Sequence, residues 1–110
     1  MEFYSLKELQ QLIRDVMGIQ TITPMISRQI NKFVLDYNMT YKEIARCIVW
    51  YTEVAKQTLE PLYGIGMIVN VREQAAAYFK QLELDQQRQR KEAEKLVQYQ
   101  DLTLKHNTEP

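Results

Sequence analysis

The sequence is poor in the residues that build disulfides, metal sites and tight turns. Its 110 residues include one cysteine, one histidine, three glycines and three prolines. The lone Cys47 cannot form an internal disulfide, which fits a reducing compartment. The only histidine, His106, falls in a tail that we expect to fray, and Cys47 falls on an apolar helix face. We therefore predict neither a metal site of several cysteine and histidine ligands nor a cysteine–histidine catalytic pair. The scarcity of glycine and proline disfavours sandwiches and barrels, which need many turns.

Charge of one sign and long apolar runs are also missing. Lysine plus arginine equals aspartate plus glutamate at 14 each, so the net charge is zero. A dedicated nucleic-acid binder usually has a clear basic excess. No apolar run approaches the roughly 20 residues of a membrane span, and the first residues do not resemble a secretory signal. We therefore expect a cytoplasmic protein without membrane contact.

The residues that are present predict an all-α protein. Ser5 with Glu8 forms a capping box, and Gly18 is a typical helix end, so we predict a first helix over residues 6–17. Thr23 followed by Pro24 predicts the start of a second helix, which ends at Asn38.

The third predicted helix has the strongest start signal. Thr40 with Glu43 makes another capping box, and Met39 with Ile44 can form a hydrophobic staple. Its apolar pattern continues to Leu59 and covers most of the circumference, which is typical of a central helix packed on two sides.

An apolar loop, residues 59–69, follows and contains Pro61, Gly64 and Gly66. Asn70 with Glu73 then predicts the start of a long fourth helix. The fold we expect is a bundle of three short helices plus a long C-terminal helix projecting from the core. Residues 1–84 would form this core, and residues 85–110 the extension and its frayed end.

Catalytic motifs are missing from the sequence. There is no phosphate-binding loop, and Val69 occupies the third position of a dinucleotide fingerprint that Gly64 and Gly66 would begin. Glu43-Ile44-Ala45 resembles the opening of a helix-turn-helix, but Val49 stands where the turn glycine is expected. We predict neither an enzyme, nor a cofactor, nor a bound metal.

Residues 40–79 resemble one group of known proteins. The shared features are Tyr41-Lys42 with Ile44, the pair Trp50-Tyr51, the turn from Tyr63 to Ile68, and a helix with Ala75, Ala76 and Tyr78. In these the chain is similar to small uncharacterised proteins of bacteriophages and prophages of Gram-positive bacteria. The resemblance implies a phage accessory protein inside a bacterial host cell, but it supplies no activity.

Three functional hypotheses follow. The first is an adaptor or inhibitor that binds a protein of nucleic-acid machinery, such as a replication, transcription or host-defence protein. Its expected contact residues are Leu96, Val97, Leu104, Tyr63 and Ile65. The second is direct DNA or RNA binding through the basic stretch Arg88, Arg90, Lys91 and Lys95. The third is self-association, with the last helix forming a homodimer.

Overall fold

The computed structural model describes the backbone of residues 4–108 and the side chains of residues 4–96. Over this range the secondary structure is helical, without strands, so the predicted all-α class is confirmed. The α-helices are α1 (Leu6–Met17), α2 (Pro24–Asp36), α3 (Tyr41–Val49) and α4 (Arg72–Thr108). A π-helical turn (Trp50–Val54) and a 3-10 helix (Gly66–Val71) lie between α3 and α4.

The chain divides into two compact units. The first is Met1–Tyr78 and contains the three short helices together with the opening turns of α4. The second is Phe79–Pro110. Its described part is the remainder of α4, a helix of 37 residues in all.

The first three helices begin at the predicted N-caps. Ser5, Thr23 and Thr40 have extended backbones, and each side-chain oxygen accepts a hydrogen bond from the amide three residues later. The oxygen–nitrogen distances are 3.1–3.2 Å. Each cap thereby satisfies one of the amides that a helix start leaves without a partner.

Left-handed residues close α1 and follow α2, at the positions that the sequence predicts. Gly18 has φ +67°, and its amide donates to the Arg14 carbonyl. Asn38 has φ +56°, a conformation that asparagine tolerates better than most residues. The Met39 amide then returns to the Phe33 carbonyl at 3.1 Å.

The core of the first unit is built around α3. This helix contacts α1, α2 and the 3-10 helix, which confirms the predicted central position. Its Ile44 and Ile48 are completely buried, as are Leu9 and Ile13 of α1 and Ile26 of α2. Burying one such aliphatic side chain contributes about 1.5–3 kcal/mol.

The prediction that this third helix runs regularly to Leu59 is wrong. The α-helical pattern ends at Val49, and in the π-helical turn the Ala55 amide donates to the Trp50 carbonyl at 2.8 Å. The Thr52 hydroxyl donates to the Ile48 carbonyl at 2.9 Å. In a regular α-helix this carbonyl accepts from the backbone amide four residues later, so the side chain competes with that bond. Lys56, with φ +56°, then ends the helical turn.

The prediction that Asn70 caps the fourth helix is also wrong. Asn70 lies inside the 3-10 helix, which continues directly into α4 at Arg72. Ile65 and Ile68 are both completely buried, and the Ile68 amide donates to the Ile65 carbonyl at 3.2 Å. A 3-10 turn aligns residues three apart, so it places both isoleucines in the core.

Candidate functional site

The apolar loop is held by one polar side chain from helix α2. The Gln29 amide nitrogen donates to the Tyr63 carbonyl at 3.1 Å, and its oxygen accepts from the Ile65 amide at 2.8 Å. The Gln29 side chain thus satisfies a donor and an acceptor of the loop backbone, as a neighbouring strand would. These two hydrogen bonds therefore hold the loop on α2.

Gly64 makes this contact geometrically feasible. It has φ +66°, and a Cβ atom there would overlap the Gln29 Oε1 atom. Gly66 is also close, since its Cβ would lie 3.2 Å from the Gln29 nitrogen. The two glycines let the loop backbone approach Gln29 within hydrogen-bonding distance.

The apolar side chains of the loop divide into an inner and an outer set. Leu59, Ile65 and Ile68 are buried in the core. Tyr63 and Leu62 are 67% and 73% exposed, and Met67 is half exposed. The expectation that Ile65 contacts a partner must be corrected, because this residue is fully buried; Tyr63 is exposed, as expected.

A groove of about 440 Å³ lies beside the exposed set. This volume falls within the range of small-ligand pockets. The π-helical turn supplies one of its aromatic residues, Tyr51, and the apolar loop supplies another, Tyr63. The complete lining is Tyr51, Thr58, Leu59, Glu60, Tyr63, Gly64, Gly66 and Met67.

The backbone leading to the groove is unusual at two points. One is the π-helical turn, a feature found frequently at functional sites. The other is Lys56, a non-glycine residue in the left-handed region. Such conformations cluster at active sites, ligand clamps and switch regions.

The expected sites on α4 fall in the second unit. Leu96 is 62% exposed, so its side chain is accessible. The side chains of Val97 and Leu104 lie outside the described residues.

The basic stretch of α4 is exposed at all four predicted positions. Arg88, Lys91 and Lys95 are spaced three and four residues apart, which places them on one face of the helix. Arg90 points to another side. The helix therefore gathers three of the four cations and separates the fourth.

Sequence analysis missed Gln29, Tyr51, Leu62 and Met67. The apolar loop was itself visible, so the exposure of Leu62 and Met67 was the only information lacking. Gln29 gives no local signal, since a glutamine on a helix is ordinarily solvent-exposed.

Cys47 lies in the core, as its apolar helix face indicates. It is 1% exposed. The pKa of its thiol is raised from the ordinary value of 9 to about 11, mainly by burial and also by the Glu43 carboxylate, while Arg72 lowers it. The thiolate is the reactive form of cysteine, so this environment suppresses nucleophilic and redox chemistry.

We expect Cys47 to resist alkylation by iodoacetamide in the folded protein at pH 8 and to react readily in urea. Its raised pKa also links stability to pH. This contribution is fully present below the ordinary thiol pKa of 9 and is lost as pH rises towards 11, because the unfolded chain releases the proton first. Mass spectrometry of the labelled protein measures the first effect, and urea unfolding between pH 8 and 11 the second. Equal labelling of folded and unfolded protein would contradict a buried thiol.

The described residues contain no group of three histidine, cysteine, aspartate or glutamate side chains placed to hold a metal ion. No helix within the described ranges is long and apolar enough to cross a membrane. Comparison of the chain with known protein families, curated proteins and solved structures found no match.

Proposed function

We propose that this chain is a non-catalytic accessory protein that binds another protein through its apolar loop and the adjoining groove. One observation carries the proposal. Leu62, Tyr63 and Met67 present exposed apolar side chains on a loop that Gln29 holds in a fixed conformation. Exposed apolar side chains grouped on one loop beside a groove suit a protein-interaction site.

The fixed conformation of the loop favours binding energetically. Association ordinarily costs free energy because loops and side chains must be ordered at the interface. Here the Gln29 hydrogen bonds and the buried Ile65 and Ile68 order the loop during folding. Tyrosine and methionine are also among the residues enriched in interface cores.

The class of partner comes from the resemblance to phage proteins. Small phage proteins without catalytic groups commonly occupy a surface of host or phage machinery. The partner we propose is therefore a protein of replication, transcription or host defence. The chain would bind it as an adaptor or as an inhibitor. The cytoplasm of a bacterial host would be the place of action.

A second candidate function is direct nucleic-acid binding by α4. The observation that favours it is the shared, exposed face of Arg88, Lys91 and Lys95. Each phosphate contact by a cation releases counterions, so this binding would weaken steeply with salt. Glu92 and Glu94, also exposed on this segment, reduce the local positive field.

Affinity capture from a Gram-positive bacterial lysate, with and without nuclease, tests both functions. We expect to recover a protein partner even after nuclease treatment. Its recovery should fall at least tenfold with the double substitution Leu62→Asp and Tyr63→Asp. The reason is that two carboxylates would be buried at an apolar contact without partners.

The matched control is Leu35→Asp, which places a carboxylate at an apolar residue of α2 that is 80% exposed. Recovery should be unchanged in this variant. Loss of the captured protein in nuclease-treated lysate would favour nucleic-acid binding as the function. Unchanged recovery with the loop double variant would show that the partner binds elsewhere.

A further inference from the structure

The charge lining the groove has a single sign. Glu60 is the only carboxylic acid among the lining residues, and no lysine or arginine is among them. The Glu60 side chain is exposed and makes no ion pair within the described part of the chain. Its carboxylate is thus free to pair with a cation brought by a ligand.

The remaining lining is suited to the stem and the head of a long cationic side chain. Tyr51 and Tyr63 are among the lining residues, and the faces of aromatic rings attract cations. Leu59 and Met67 contribute aliphatic surface, against which the methylene groups of such a side chain can pack. The groove therefore offers aromatic, aliphatic and anionic surface in one place.

We propose that the groove binds the guanidinium group of an arginine side chain from a bound protein segment. Arginine fits best because its planar head stacks on aromatic rings and pairs with a carboxylate through two hydrogen bonds. This inference rests on the proposed function and deepens it, since it specifies what the partner inserts. An acidic ligand would meet Glu60 with like charge, and a purely aliphatic one would make no use of its carboxylate.

Blocked tripeptides of the form leucine-X-leucine test the inference on the full chain. X is arginine, its neutral isostere citrulline, or the aliphatic norleucine. The readout is the amide shift of Gly64 and Gly66, both in the groove lining, during NMR titration to roughly 10 mM, a concentration suited to weak ligands. Gly18, at the end of α1, serves as the remote reference.

We expect the arginine peptide to shift Gly64 and Gly66 saturably, with at least threefold higher affinity than the citrulline peptide. Glu60→Gln should lower the arginine affinity about three- to tenfold and leave the norleucine affinity unchanged. Glu53→Gln removes an exposed carboxylate outside the groove lining and should change neither affinity.

Two results would overturn the inference. If norleucine binds as tightly as arginine, the groove selects apolar side chains, and the proposed protein-binding function stands without the cation. If no peptide moves Gly64 or Gly66, arginine does not bind there. The proposed function is tested separately, by lysate capture with the double variant Leu62→Asp and Tyr63→Asp.

Discussion

Replacing Ile65 with alanine is expected to lower the free energy of unfolding by about 2–4 kcal/mol. Ile65 is completely buried and belongs to the core cluster that includes Ile68 and α3. Truncation would remove three methyl or methylene groups and leave a cavity in a tightly packed region. Urea unfolding followed by circular dichroism measures the change.

The matched control is Leu62→Ala, three residues earlier in the same loop. Leu62 is 73% exposed, so its truncation should change stability by no more than about 0.5 kcal/mol. Leu62→Ala should also weaken partner capture. Ile65→Ala should reduce partner capture only by lowering the fraction of folded protein. Equal destabilisation by both substitutions would show that the loop does not divide into inner and outer side chains.

The first three helix starts could be predicted because their causes are local. Ser5, Thr23 and Thr40 act on amides only three residues away, and each is followed by an apolar pattern of helical period. Gly18 and Asn38 mark left-handed positions, a backbone property of single residues. These signals are contained within one or two helical turns, so a sequence displays them directly.

The segment between α3 and α4 could not be predicted from the same signals. The apolar pattern from Trp50 to Leu59 is compatible with a regular helix, yet a π-helical turn and left-handed Lys56 interrupt it. The capping pair Asn70 and Glu73 was matched by chance inside a continuous helical run. The π-helical turn contains no buried residue, and there the Thr52 hydroxyl donates to the Ile48 carbonyl. In the 3-10 helix, burial of Ile68 overrode the local preference of the capping pair.

The candidate site was predictable only as a region. Apolar residues around two glycines indicated a loop that either packs on the core or binds a partner. They did not show which side chains are buried and which are exposed. Tyr63 was assigned to the surface correctly and Ile65 wrongly, because their exposure depends on how Gln29 fixes the turn. Gln29 lies 34 and 36 residues before its two partners, and no short-range pattern encodes such a pairing.

That long-range contact predicts a specific non-additivity around Gly64. Gly64→Ala is expected to cost about 2–3 kcal/mol, from roughly 1 kcal/mol of left-handed strain plus loss of the Gln29 hydrogen bonds. The overlap itself can be relieved, because the Gln29 amide is the end of a flexible side chain that can swing away. Gln29→Ala alone should cost about 1–2 kcal/mol, since the buried Ile65 amide loses its acceptor.

Gly18→Ala supplies the matched control, because Gly18 has almost the same φ, +67°, but open space where a Cβ would lie. It should cost only the strain, about 1 kcal/mol. In the Gln29→Ala background, Gly64→Ala should fall to this same value, giving a coupling of about 1–2 kcal/mol in a double-mutant cycle measured by urea unfolding. Strict additivity would mean that Gln29 does not hold the loop, and the fixed surface on which partner binding is proposed would lose its physical basis.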